Sequence, residues 1–221
     1  MNKKNIKTDM SCRLVFKKAY DNRYTWPEDF SGYKGKARLN IDGKSFSSDF
    51  KVDKNIKVII TGNIPDNKKN IIKANLFDVT IHRFKRPFDE VHKENIFNFG
   101  NQTNLGKEII LKGKSKGDRY IIKDNIIKSV YRTIHGILVE VITNEILQTN
   151  QGYLAIGYTS QYFDPISKEK TSPKTHYKDS FIDILKNGTF LLQSRSIKIE
   201  NNNNDLVEVQ ELLFSDMKLI N

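Results

Sequence analysis

The chain has 221 residues, a single cysteine and a formal net charge of +11. In a mostly β chain that length makes about one domain, and it buries a sizeable core without disulfides or metals. Cys12 alone excludes an internal disulfide, and no run approaches the roughly 18 apolar residues of a membrane helix.

The charge is uneven. Residues 1–120 carry 26 Lys and Arg against 14 Asp and Glu, whereas residues 121–221 carry 11 against 12. Such asymmetry suits an anionic membrane or an acidic protein. Lys outnumbers Arg 29 to 8, and Asn and Ile reach 22 and 27. A low-GC genome produces the same excess, and nucleic-acid readers favour Arg for its planar fork, so nucleic acid is not an expected partner. The first residues are basic but no long apolar run follows them, so the protein is expected to be soluble and to stay where it is made. Residues 1–8 read as a flexible basic arm, and 9–221 as a single β-rich domain.

In chain order, a helix is expected from Asp9 to Tyr24. Asp9 or Ser11 would cap it, Cys12, Val15, Phe16, Ala19 and Tyr20 share a face, and Trp26-Pro27 would end it. Ala37, Leu39 and Ile41 then alternate with polar residues up to Asp42-Gly43, a strong hairpin signal, and Phe46, Phe50 and Val52 continue the alternation. Val58–Ile60 is a further strand. A second helix fits Asp66 to about Thr80, with Asp66 as cap and Ile71, Ile72, Asn75, Leu76 and Val79 on one side. Ile81–His92 reads as a strand, a break at Pro87 and a second strand. Short strands follow at Ile109–Leu111, Tyr120–Ile122, Ile126–Ile127, Ile137–Ile142, Tyr153–Phe163, Phe181–Leu185, Phe190–Ile199 and Leu206–Leu219, with a loop at Asn201–Asn204. The fold class is mainly β (α+β): a single large curled antiparallel sheet or open β-barrel, with an N-terminal helix and one inserted helix against its concave side.

No motif specifies a reaction. Histidines at H-E-x-x-H or H-x-x-x-H spacing, a C-x-x-C pair and a G-x-S-x-G elbow are all missing from the sequence. Gly113-Lys-Ser-Lys-Gly117 lacks the phosphate-loop spacing and reads as a strand turn. No metal or cofactor is expected, and an enzyme is the lesser expectation. His82 and His92 would share a face if their segment were a strand. Aromatic residues are the richest feature. Tyr20, Tyr24, Trp26, Phe30 and Tyr33 cluster, as do Tyr153, Tyr158, Tyr162 and Phe163, with Tyr158, Ser160 and Tyr162 on one strand face. Such residues build either a core or the amphipathic wall of a ligand hollow.

Ala19-Tyr-Asp-Asn-Arg-Tyr-Thr-Trp26 with Phe30-Ser-Gly-Tyr33, then His82-Arg83, Phe88-Asp-Glu-Val-His92, Gly117-Asp-Arg-Tyr120 and Arg132-Thr-Ile-His-Gly136 form a pattern. Gly152-Tyr-Leu154, Tyr158-Thr-Ser-Gln-Tyr-Phe-Asp-Pro165 and Leu192-Gln-Ser-Arg195 complete it. The pattern, from about Phe16 to Leu219, resembles the domain of unknown function 3386 family of cyanobacteria and plastids. The opening, a helix, F-x-G-Y and a tight hairpin, is similar to lipoprotein-carrier (LolA/LolB-like) half-barrels. These resemblances imply a binding protein that holds a lipid or pigment, or assists photosynthetic assembly, in a cyanobacterial cytoplasm or plastid stroma, peripheral to the thylakoid. One alternative is an adaptor whose basic N-terminal half docks on a thylakoid surface, a photosynthetic complex or another acidic protein. Another is a tetrapyrrole (bilin) lyase-like enzyme that holds acidic groups through His82, Arg83, His92, Arg132 and His135. The candidate ligand contacts are Trp26, Tyr33, His82, Arg83, His92, Arg132, His135, Tyr158 and Tyr162.

Overall fold

A computed structural model describes residues 8–201, 203 and 205–220. Residues 1–7 of the expected basic arm, with Asn202 and Asn204 of the expected loop, lie outside the described residues. Among the described residues the protein is mainly β, a twelve-stranded antiparallel open sheet with three helices. The chain falls into two compact units.

The first unit comprises residues 1–23, 86–148 and 152–174. It holds α1 (Met10–Asp21), α3 (Phe88–Val91) and strands β4 (Asn95–Thr103), β5 (Gly106–Gly113), β6 (Arg119–Lys123), β7 (Ile126–Ile134), β8 (Ile137–Thr149) and β9 (Gly152–Phe163). These strands run in the order β9-β8-β7-β6-β5-β4. The Asp9 carboxylate caps α1, accepting the N–H groups of Ser11 and Cys12 at 2.9 and 3.1 Å. The helix ends at Asp21, before Trp26-Pro27 is reached. There the Asn22 carbonyl accepts the Tyr153 N–H at 2.9 Å, so pairing with β9, not the proline, stops it. Strand β4 carries Asn and Gly between its aromatics and was not foreseen. At its bulge Asn101 N–H donates to the Glu108 carboxylate at 3.0 Å.

The second unit comprises residues 24–85, 149–151 and 175–221. It holds β1 (Gly32–Ile41), β2 (Lys44–Asp53), β3 (Val58–Thr61), α2 (Asp66–Ile81), most of β10 (Lys174–Asp183), β11 (Phe190–Glu200) and β12 (Leu206–Leu219), in the order β3-β2-β1-β12-β11-β10. α2 packs on β3 and β1. Its N-cap is Pro65, not Asp66. Asp66 is instead the first helical residue, where its negative charge complements the helix dipole and pairs with Lys69 at 3.1 Å. Strand β10 starts at Lys174, well before the apolar Phe181 that marked it in sequence, because its first half is polar.

Turn chemistry is followed closely. Asp42-Gly43, Asp124-Asn125 and His135-Gly136 all take positive φ at both positions, the two-residue geometry that matches strand twist.

Ile81–His92 contains no strand, which corrects the expectation. α2 runs through Ile81, and the N–H groups of His82 and Arg83 donate to Val79 and Thr80. Pro87 then starts the single turn of α3, its carbonyl accepting from Glu90 and Val91 at 3.1 Å. Proline interrupts a strand but suits a helix start, where its missing N–H costs nothing. His82 and His92 therefore share no strand face.

In the first unit the core gathers around Phe16 of α1. Its ring lies 4.6 Å from Tyr120, 5.6 Å from Phe97 and 5.8 Å from Phe88, with Ile109, Leu111 and Ile122 in the same cluster. Cys12 is buried beside it, and burial pushes its thiol up to about 12. Phe16→Ala is expected to cost about 3–5 kcal/mol. Urea unfolding checks this: the midpoint should fall while the slope stays constant.

Candidate functional site

The aromatic residues after α1 form a defined cleft in the second unit. Trp26 is held twice: its backbone N–H donates to the Arg83 carbonyl at 2.7 Å and its indole Nε1 to the Phe190 carbonyl at 2.9 Å. A turn, closed by Phe30 N–H on the Pro27 carbonyl, brings Phe30 back to stack on the indole at 4.2 Å. Tyr33 and Phe84 meet the indole edge-on, each at 5.8 Å. Tyr33 is buried, which raises its phenol above the usual range.

Arg83 follows the last turn of α2. It is only 8 % exposed, and its guanidinium lies 5.3 Å from the centre of the Phe181 ring. Trp26, Phe30, Arg83 and Phe84 line a cleft of about 530 Å³. Glu28, Lys54 and Lys85 are exposed residues of the same lining, with Glu28 and Lys85 paired at 3.2 Å. The volume lies within the range of small-molecule sites, and the lining joins three aromatic residues to a polar, largely charged remainder that includes Asp29, Ser31 and Asn55. Trp26, Tyr33 and Arg83 are thus brought together as a group. His82, beside Arg83 in sequence, is exposed instead and lies 4.0 Å from Asp78.

The most unusual charge in this unit was not among the candidates. Arg195 of β11 is 1 % exposed. Its Nε and a terminal nitrogen donate to the two oxygens of Asp179 on β10, both at 2.8 Å. Its other terminal nitrogen donates to Asp78 at 3.0 Å and to Asn75 at 3.2 Å, both on α2. Tyr177 lies 5.1 Å from the guanidinium carbon. The sequence carried a signal for this: Arg195 has the same strand parity as Ile197 and Ile199, so it is a charge that continues an apolar run on one face.

The other candidates belong to the first unit and are explained by the fold. His92 is buried among Phe16, Tyr20 and Phe88, with ring centres 4.9–5.3 Å away, and its Nδ1 pairs with Asn95 Nδ2 at 2.9 Å. Burial first, then the positive charges of Arg132, Arg23 and Arg13, bring its pKa down to about 4. Arg132 faces Asp118 at 3.7 Å. His135 is an exposed turn residue with φ +50°. Tyr158 is half-buried and Tyr162 exposed, whereas Thr159, Ser160 and Gln161 between them are buried. Strand β9 is thus covered on both faces there and forms no simple tyrosine wall. His82 and Arg83 fall in one unit, and His92, Arg132 and His135 in the other. Among the described residues no three His, Cys, Asp or Glu side chains are grouped so that they could hold a metal ion.

Over residues 7–220 the sequence matches the family described as proteins of unknown function, DUF3386. The chain belongs to that family. No curated protein matches it. Its fold is similar to a LolA superfamily protein from Nitrosomonas europaea, at 12 % identity over 95 % of this chain and 94 % of that one, with a TM-score of 0.33. It is similar too to an outer membrane lipoprotein-sorting protein domain from Vibrio parahaemolyticus, at 7 % identity over 95 % and 92 %, TM-score 0.33. A DUF1329 family protein from Desulfovibrio piger matches at 9 % identity over 94 % and 92 %, TM-score 0.26. In this DUF3386 protein the quoted segments Trp26, Phe30-Ser-Gly-Tyr33, His82-Arg83 and Leu192-Gln-Ser-Arg195 all fall in the second unit. The first three flank or line the cleft, and the last holds α2.

Removing the Asp179 charge leaves the Arg195 guanidinium buried with weaker compensation, at an expected cost of about 3–5 kcal/mol. Asp179→Leu should therefore lower the chemical denaturation midpoint far more than Asp66→Leu, whose carboxylate is exposed. His92 predicts a pH effect. Its folded pKa of about 4 lies below the ordinary 6.5, so the unfolded chain binds the proton more readily. Its contribution is intact above pH 6.5 and is lost as pH falls towards 4. His92→Gln should flatten the stability profile across that window, measured by the urea midpoint at each pH.

Proposed function

We propose that this protein binds an apolar or amphipathic small molecule of the lipid or pigment kind in the cleft beside Trp26. The reading rests on one observation: a cleft of about 530 Å³ whose lining brings Trp26, Phe30 and Phe84 together beside the buried Arg83, among exposed polar residues. An apolar chain or ring laid against these three aromatic side chains leaves water, at about 25 cal/mol for each Å² covered. The backbone and indole hydrogen bonds of Trp26 fix the wall in advance, so little order has to be created on binding. The likeness of the sequence to cyanobacterial and plastid proteins supplies the proposed setting, a photosynthetic cytoplasm or stroma where lipids and pigments are the abundant apolar molecules.

Trp26 is the only tryptophan, so its fluorescence reports on the cleft without labelling. Titration with a brominated acyl chain should quench Trp26 saturably. Phe84→Ala should weaken that binding about tenfold, the effect of losing roughly 1.4 kcal/mol of apolar contact. The reading fails if brominated chains with acid, ester and alcohol ends, and a carotenoid, all leave the emission of Trp26 unchanged.

A further inference from the structure

We infer that one end of the first unit's sheet sits on an anionic lipid bilayer, with isoleucines on two of its turns entering the lipid and lysines around them meeting the headgroups; this stands apart from the cleft reading. The turn between β7 and β8 comes first. Ile134 and Ile137 are paired directly across His135-Gly136 and are 42 % and 50 % exposed. Opposed residues of an antiparallel hairpin project from one face, so the two make a single apolar tip. Strand β9, of 12 residues, follows the 13-residue β8 after only residues 150 and 151. Its last residue, Phe163, therefore returns to the start of β8. The loop beyond it carries Ile166, which is 90 % exposed. That loop has a built shape: the Asp164 carboxylate accepts the N–H groups of Ile166 and Ser167 at 2.8 and 2.7 Å, and Phe163 pairs with Lys170. Single exposed apolar residues are ordinary, but three isoleucines on two adjoining turns call for a partner.

The surroundings are basic. The turn between β5 and β6 lies at the same end, because the Thr133 N–H donates to the Asp118 carboxylate at 3.3 Å. Residues 113–118, 132–137 and 164–174 together hold six Lys and Arg against three Asp and Glu. Of these acids Asp118 is buried facing Arg132, Asp164 binds the backbone of its own loop, and Glu169 is exposed. Lys114 has Glu94 at 3.9 Å, and Lys116, Lys170 and Lys174 are exposed. A protein partner covers a continuous patch of matching shape, whereas lipid closes around separate projecting tips. With the isoleucines in the acyl boundary, the lysines lie at headgroup depth, where a negative surface attracts them.

The test is co-sedimentation of the intact protein with vesicles of phosphatidylcholine alone and of phosphatidylcholine with about one third phosphatidylglycerol. Binding is expected to the second kind, and it should weaken as salt is raised. Ile134→Ser/Ile137→Ser/Ile166→Ser should lower the partition coefficient at least about tenfold. Lys116→Gln/Lys170→Gln should lower it about fivefold for each charge removed. All five side chains are exposed, so the urea midpoint should stay in place. Lys44→Gln/Lys57→Gln removes the same charge from exposed sites of the second unit and should leave binding near that of the parent protein. No binding to the anionic vesicles, equal binding to both kinds, an unchanged isoleucine variant, or an equal loss in the second-unit variant overturns the inference. A dimer at sedimentation equilibrium that the isoleucine variant dissolves also overturns it, in favour of a contact between two copies of this chain.

Discussion

The second unit is organised around a charge that should not be buried. Arg195 sits at 1 % exposure and cannot lose its proton, so the surroundings must supply anions. Asp179 on the neighbouring strand takes two of its N–H bonds, and Asp78 and Asn75 of α2 take the rest of what is described. Apolar residues of the same volume often replace such a set without loss of stability. Its structural consequence is geometric: α2, which packs on β3 and β1, is also tied to β11 through Arg195. The end of α2 places Arg83, and the Arg83 carbonyl holds Trp26. The cleft is thus downstream of an ion pair on the far strands of the same unit.

The first unit solves the same problem differently. Its buried titratable ring, His92, gives up its proton and packs as an aromatic among Phe16, Tyr20 and Phe88. A histidine has that freedom near neutral pH and an arginine does not. The first unit therefore depends on pH through a buried neutral group, and the second on the integrity of a salt-bridge network.

Much of the architecture was legible in the sequence. Asp42-Gly43 announced its hairpin because few residues tolerate positive φ twice in succession. The apolar spacing of Cys12, Phe16 and Ala19, and of Ile72, Leu76 and Val79, placed both long helices and their buried faces. Of the nine candidate contacts, Trp26 and Arg83 line one cleft with Tyr33 packed against the indole, whereas His92, Arg132, His135, Tyr158 and Tyr162 belong to the other unit. Ile81–His92 was misread because a short alternating run with a proline has two solutions, and proline is as much a helix starter as a strand breaker. Strand β4 was missed because its Asn and Gly dilute the apolar signal.

What the sequence determined by itself is local: turns with positive φ, helical faces, strand alternation, and membership of a β-rich family. These depend on neighbours within a few residues, where backbone sterics and periodicity dominate. What only the tertiary structure decided is which distant side chains share a dielectric environment. Asn75, Asp78, Asp179 and Arg195 are separated by up to 120 residues and form one network. Trp26, Phe30, Arg83 and Phe84 likewise form one wall. Burial changes what such residues do: an arginine that is a solvated surface group in water becomes, once buried, a charge that its neighbours must match. No spacing rule encodes that, because it depends on which strands and helices come to lie beside each other.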